Sequence, residues 1–293
     1  MSETLTTEHP LDEALRLETV APGLVRGRTT QAYWNMAGPF GGTTAALLLK
    51  AVLDHPERRG RPAALTVNFC SAVAEGAFDI AVRLVRDGRS TQHWNVELSQ
   101  EGRGVATTAS VVTAAERQTW GHRFASPPAI APPEEIPALD MSTRTGWMTR
   151  YEMRFAEGPP EGREVVESDV RSPYSRLWMR DFPARPLDFP ALAALSDTFV
   201  VRLLQVRGDI PPIATVTLTT YFLADEAALA RQGSRPLIGV ADAPAKRVLV
   251  RAVKTGKAPL KLLPPLVLHP RDGGKHTEEA EAILRGEAAL GWD

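Results

Sequence analysis

The run Ala45-Ala46-Leu47-Leu48-Leu49-Lys50-Ala51-Val52-Leu53 constrains this chain more than any other. It predicts a helix that is apolar on nearly every side, with Lys50 as the main polar break. A surface helix keeps a polar face, so a helix of this kind has to be covered on most sides. It opens at Gly41-Gly42-Thr43, after Pro39, and Thr43 or the glycines can serve the free amides of the first turn. The strand Leu65-Thr66-Val67-Asn68-Phe69 follows, so the expected cover is a sheet. The same order then recurs. Ala191 to Asp197 begins a second apolar helix expected to reach about Leu204, with Leu192, Leu195, Phe199 and Leu203 near one face. Asp188 ahead of Phe189-Pro190 supplies an N-cap and an early proline. The strand from Ile213 to Leu223 comes next.

The clearest strand signals lie between the two helices. Phe78, Ile80, Val82 and Leu84 alternate with smaller or polar residues, Asp87-Gly88 marks a hairpin, and Trp94, Val96 and Leu98 alternate again. Glu101-Gly102 turns the chain, and Val105 to Thr113 returns. The result is an antiparallel meander with one apolar face. A short strand is expected near Leu24 to Thr30, and further ones at Tyr151–Ala156 and Ser175–Arg180. Residues 1–17 read as a loosely packed start. Residues 123–145, with Ser126-Pro127-Pro128, Pro132-Pro133 and Pro137, read as a linker. After Asp242 the apolar patterning decays: Lys246 to Lys261 is basic, Leu262 to Leu266 is broken by prolines, and Thr277 to Leu290 is an alanine-rich, charged helix candidate. Residues 243–293 are therefore expected to pack poorly, which would leave the second sheet without its closing strands and with an open edge suited to intermolecular pairing.

Composition narrows the function classes. Hydrophobic residues make up 43% and charged residues 24% of the 293 positions, and the net charge is −1. That is ordinary globular usage, with no electrostatic case for nucleic acid or an anionic membrane. No apolar run is long enough to span a bilayer. The polar, acidic start lacks the features of a secretory signal, and a single cysteine, Cys70, fits a reducing cytoplasm. Cys70 itself is expected to be a buried strand residue. No Cys/His cluster suggests a metal, and no cofactor is expected. His93 lies in a strand beside Trp94, where a structural role is the simpler reading. His55 and His122 read as surface residues.

From Leu24 to Thr113 the chain resembles acyl-CoA thioesterases of the TesB-like (thioesterase II) kind. The residues that carry the resemblance are Phe40-Gly41-Gly42, Val67-Asn68-Phe69 and Asp87-Gly88-Arg89-Ser90. The second half is similar to the same family through Leu195-Ser196-Asp197 and Ala214-Thr215-Val216. The resemblance implies an α+β fold, the double hotdog, in which two antiparallel sheets each wrap a long central helix. It divides the chain into a first hotdog at 18–120, a linker at 121–145, a second hotdog at 146–242 and a divergent tail at 243–293.

The resemblance also implies an activity, hydrolysis of an acyl-CoA to free acid and CoA by an activated water. Asp197 matches the family's catalytic Asp and Thr215 its hydroxyl residue, and Gly41, Gly42, Asn68 and Phe69 fall where substrate is bound. A carboxylate can take a proton from water, and a hydroxyl can hold that water. The family's third catalytic group, a Gln on the final strands, has no counterpart: Gln232 is the last glutamine and precedes that place. The resemblance stops near Asp242, as a shifted reading frame or a divergent C-terminus would produce. Two alternatives stay open, an acyl-CoA binding protein that has lost its site and a hotdog dehydratase using His93. Gly41-Gly42 equally suits close helix–sheet packing, and Thr215 is also an ordinary strand former. The expected partner is acyl-CoA, and a homo-oligomer is allowed.

Overall fold

The computed structural model describes residues 8–116, 127–141, 144, 146–159, 174–201 and 214–241, together with 277, 278, 281, 282, 285 and 287. The chain divides into two compact units, Met1–Pro244 and Ala245–Asp293. In the second unit, Glu281 and Arg285 donate their backbone N–H groups to the carbonyls four residues earlier, at 2.9 and 3.0 Å, as a helix requires. The remaining expectations for the tail, and for His122, lie outside the described residues.

The first unit is built around α2 (Gly41–Leu53), which buries every residue from Gly42 to Val52 except Lys50. Lys50 reaches out to pair with Asp54 at 2.6 Å. Around the helix curves a seven-stranded antiparallel sheet. Its strands are β1 (Glu18–Ala21), β2 (Leu24–Arg28), β3 (Arg61–Phe69), β4 (Ala77–Asp87), β5 (Thr91–Gln100), β6 (Gly104–Ala114) and β9 (Thr217–Tyr221), in the order β1-β2-β4-β5-β6-β3-β9. β5 shows why it wraps: Gln92, Trp94, Val96, Leu98 and Gln100 are buried, while His93, Asn95 and Glu97 face out. Burying a side chain such as Leu48 or Ile80 contributes about 1.5–3 kcal/mol. An antiparallel sheet around an apolar helix is the α+β hotdog arrangement.

A smaller antiparallel sheet has the order β10-β8-β7, from β7 (Tyr151–Glu157), β8 (Ser175–Asp181) and β10 (Leu237–Ala241). Part of the proline-rich segment is docked on it. The Trp178 indole N–H donates to the Ala131 carbonyl at 2.8 Å, and Arg154 donates to the Pro133 and Ile136 carbonyls at 3.1 and 2.7 Å. Leu139 N–H reaches the Met153 carbonyl at 2.7 Å. β9 belongs to this half of the sequence but pairs with β3, from Ala64↔Tyr221 to Asn68↔Thr217. α2 also packs against α3 (Phe189–Leu195), so the two halves share both sheet and core. Phe40 stacks on Trp147 with ring centroids 4.2 Å apart and planes 8° from parallel, and the edge of Tyr151 closes the cluster. Among the described residues no helix is long and apolar enough to cross a membrane.

Three sequence expectations are corrected here. Residues before 18 are not loosely packed throughout: α1 (Pro10–Ala14) buries Leu11, Ala14 and the following Leu15, and Asp12 pairs with Arg185 at 2.7 Å. A five-residue helix is too short to show a period, yet its one apolar face is enough to dock. Cys70 is exposed rather than buried. β3 ends at Phe69, and Cys70 leaves the sheet with its N–H bonded to the Ala106 carbonyl. The second helix is not continuous, and residues 202–204 of its expected span lie outside the described residues. α3 has seven residues, ends at Leu195, and is followed by a 3₁₀ turn at Thr198–Val201.

Candidate active site

The early end of α3 builds the site. Asp188 caps its start as expected, accepting the Ala191 N–H at 2.8 Å. At its finish the Ser196 hydroxyl donates to the Ala193 carbonyl at 2.7 Å, and the Thr198 hydroxyl to the Leu195 carbonyl at 2.8 Å. Such local hydroxyls compete with the backbone for helical carbonyls. The next backbone bond, Asp197 N–H to the Ala194 carbonyl, is accordingly of the tighter three-residue kind, at 3.3 Å. Asp197 thus sits at a break in the helix, only 7% exposed.

Its carboxylate lies against the start of α2. Oδ1 accepts the Thr215 hydroxyl at 3.0 Å, and the backbone N–H of Gly42 favours the ionised form of the same carboxylate. The first amides of a helix lack intrahelical partners and carry partial positive charge, which suits an anion. The N-cap residue is Phe40, which makes no side-chain cap. Thr43 does not cap either, since its hydroxyl is buried without a partner. A distant carboxylate takes the role that the local sequence suggested for Thr43. Burial still dominates the carboxylate: it pushes the Asp197 pKa up to about 6, against the opposing pull of Thr215 and Gly42.

The two glycines do different work. A Cβ on Gly42 would stand 2.4 Å from the Ala194 carbonyl oxygen, so Gly42 lets α2 and α3 approach. A Cβ on Gly41 would stand 2.6 Å from Asp197 Oδ2 and 3.3 Å from the Phe69 ring, so Gly41 makes room for the carboxylate. Asp197, Thr215, Gly41, Gly42 and Phe69 therefore converge. Asn68 does not join them. As the neighbour of Phe69 in a strand it points to the opposite face, is exposed, and donates to the Thr108 hydroxyl at 3.4 Å. His93 also faces out of the sheet, 3.4 Å from the Thr91 hydroxyl and with no carboxylate partner among the described residues. Gln232 donates to the Arg235 and Pro236 carbonyls at 3.0 and 2.9 Å, which holds a turn.

Other polar groups nearby carried no sequence signal. The Ser196 hydroxyl meets that of Thr220 at 3.0 Å beside Asp197. Tyr151 and Asp181 oppose each other across β7 and β8, both buried. Burial pushes the Asp181 carboxyl up to about 7 and holds the Tyr151 phenol well above its usual range. These residues matter only once the two strands pair. Among the described residues no group of His, Cys, Asp or Glu is arranged to hold a metal.

The model of the acyl-CoA thioesterase N-terminal domain matches residues 30–114, and that of the C-terminal domain matches residues 127–245. Among solved structures, a conserved protein of unknown function with a hot dog fold from Alicyclobacillus acidocaldarius is 42% identical, covering 82% of this chain and 88% of its own, at a TM-score of 0.75. A candidate thioesterase II from Thermobifida fusca is 20% identical, covering 79% of this chain and 84% of its own, at a TM-score of 0.63. The tesB protein of Mycobacterium avium subs paratuberculosis is 18% identical, covering 73% and 79%, at a TM-score of 0.57. A search of curated proteins gave no match. The last two structures speak for the fold alone, and the 42% identical relative shares the hot dog fold, while the two domain models in tandem cover most of the chain: it belongs to the acyl-CoA thioesterase family that they describe.

Proposed function

We propose that this protein hydrolyses an acyl-CoA thioester to a free acid and CoA, with Asp197 as the general base. The observation that carries this reading is the buried Asp197 carboxylate, bonded by the Thr215 hydroxyl and lying against Gly41 at the start of α2. A buried carboxylate with a pKa near 6 is a stronger base than a solvated one and is ionised at neutral pH. Thr215 spends its one proton on Asp197 and keeps lone pairs to accept from a water. That water gives a proton to Asp197 while its oxygen attacks the thioester carbonyl carbon. The tetrahedral adduct then collapses, the carbon–sulfur bond breaks, and the departing thiolate takes up the proton that Asp197 gained, which restores the carboxylate. In this reading amides of the first turn of α2 polarise the carbonyl beside Gly41, and Phe69, next to Gly41, supplies an apolar wall.

We also read the chain as a double hotdog, divided at 18–120, 121–145, 146–242 and a tail at 243–293. Support comes from the strand orders: β1-β2-β4 with α2 and β3 in the first half is matched by β7-β8-β10 with α3 and β9 in the second. A second functional reading is favoured by Gln232, whose amide is spent on a turn: the protein binds acyl-CoA without turning it over. The two separate in one assay. Release of free thiol from a medium-chain acyl-CoA supports hydrolysis. No release, together with a raised melting temperature in the presence of a thioether analogue, supports binding alone.

A further inference from the structure

A cavity with room of about 10 Å³ for the centre of a water molecule lies between the first turns of α2 and the chain leaving β2. Thr30, Tyr33, Thr43 and Thr44 are part of its lining, beside apolar side chains such as Leu47 and Leu98. The hydroxyl oxygens of Thr30, Tyr33 and Thr43 are all buried without a hydrogen-bond partner in the protein. Tyr33 and Thr43 are 1% and 3% exposed, so bulk water does not reach them. The Thr44 hydroxyl donates to the Phe40 carbonyl at 3.4 Å, which leaves its lone pairs free to accept.

Orphaned buried hydroxyls cost stability, and the Thr30 and Thr43 hydroxyls are two such groups on residues lining one small cavity. A buried water needs roughly 10–15 Å³ of such space and two to four polar partners. Space and donor set agree here.

We propose that this cavity is a binding site for one ordered water, which bridges the Thr30 and Thr43 hydroxyls and forms a fixed part of the fold. The bridge ties the end of β2 to the same turn of α2 that presents Gly42 to Asp197. The site is separate from the proposed chemistry and stands whether or not the protein hydrolyses thioesters.

The test turns on the sign of a stability change. Thr43→Val and Thr30→Val keep side-chain shape and remove a hydroxyl. Removing a hydroxyl with no partner is neutral or stabilising, whereas removing one that holds a water strands the water's bond. Each variant is expected to lower the melting temperature by roughly 2–4 °C. The double variant is expected to lose less than the sum, because both hydroxyls serve one water. A melting temperature at or above wild type for both single variants would overturn the proposal. So would a high-resolution crystal structure with no density between the Thr30 and Thr43 hydroxyls.

Discussion

Helix α2 runs for 13 residues and is buried along nearly its whole length, whereas α3 runs for seven and stops where Ser196 and Thr198 turn their hydroxyls onto its last carbonyls. The two are packed against each other, and both arise from apolar, alanine-rich sequence. α2 is uniform because its task is to fill the sheet. α3 is interrupted because the interruption delivers Asp197 to the first turn of α2. One helix supplies the core and half of an anion site; the other supplies the anion. What separates them is a pair of hydroxyl side chains, not a difference in hydrophobicity.

That contrast can be broken first through the core. Leu48→Ala, in the middle of α2 and fully buried, is expected to cost about 2–5 kcal/mol. Leu192→Ala, on the half-buried side of α3, is expected to cost less. Urea midpoints at unchanged slope would measure both. Gly42→Ala should come next, at about 1–3 kcal/mol, because its Cβ meets the backbone oxygen of Ala194, which can yield only by moving α3. Gly41→Ala sharpens the comparison. Its Cβ meets the end of the Asp197 side chain, which can swing away, and the edge of the Phe69 ring at 3.3 Å, which needs to give only slightly, so stability should change by under about 1 kcal/mol while thiol release falls. Equal losses of stability for the two alanine variants would show that the glycines share one role.

A separate effect is expected on pH dependence. Asp197 is raised in the fold from 3.8 to about 6, so the folded chain holds a proton that the unfolded chain has released. Its contribution to stability is therefore present below the unfolded value and lost as pH rises through about 6. Asp181, raised to about 7, acts in the same direction. Catalysis runs the other way, because a base must be ionised, so kcat/KM should rise through about pH 6. Urea unfolding should show Asp181→Asn gaining stability relative to wild type as pH rises through about 7.

Local pattern carried much of this fold. The apolar run of α2, the alternation of β4 and β5, the Asp87-Gly88 turn and the Asp188 cap are each determined within a few residues, and each stands as expected. The features that the sequence hid are set by distant partners. β9 joins β3 across the whole middle of the chain, and part of the proline-rich segment docks through carbonyls that any residue would offer. Asp197 and Thr215 were legible through family resemblance, but the break that positions Asp197 was not, since Ser196 and Thr198 also fit within a helix. Cys70 was misplaced by one residue at a strand end, enough to move it from core to surface.

The central claim is that the Asp197 carboxylate is a base, not merely a cap for α2. Asp197→Asn retains an oxygen able to accept from Thr215 but cannot take a proton from water. Thiol release from an acyl-CoA, measured side by side with the melting temperature, tests this directly. The expected result is a loss of about 10²–10⁴-fold in kcat with the melting temperature at or above wild type at neutral pH. Hydrolysis by Asp197→Asn at the wild-type rate would contradict the account.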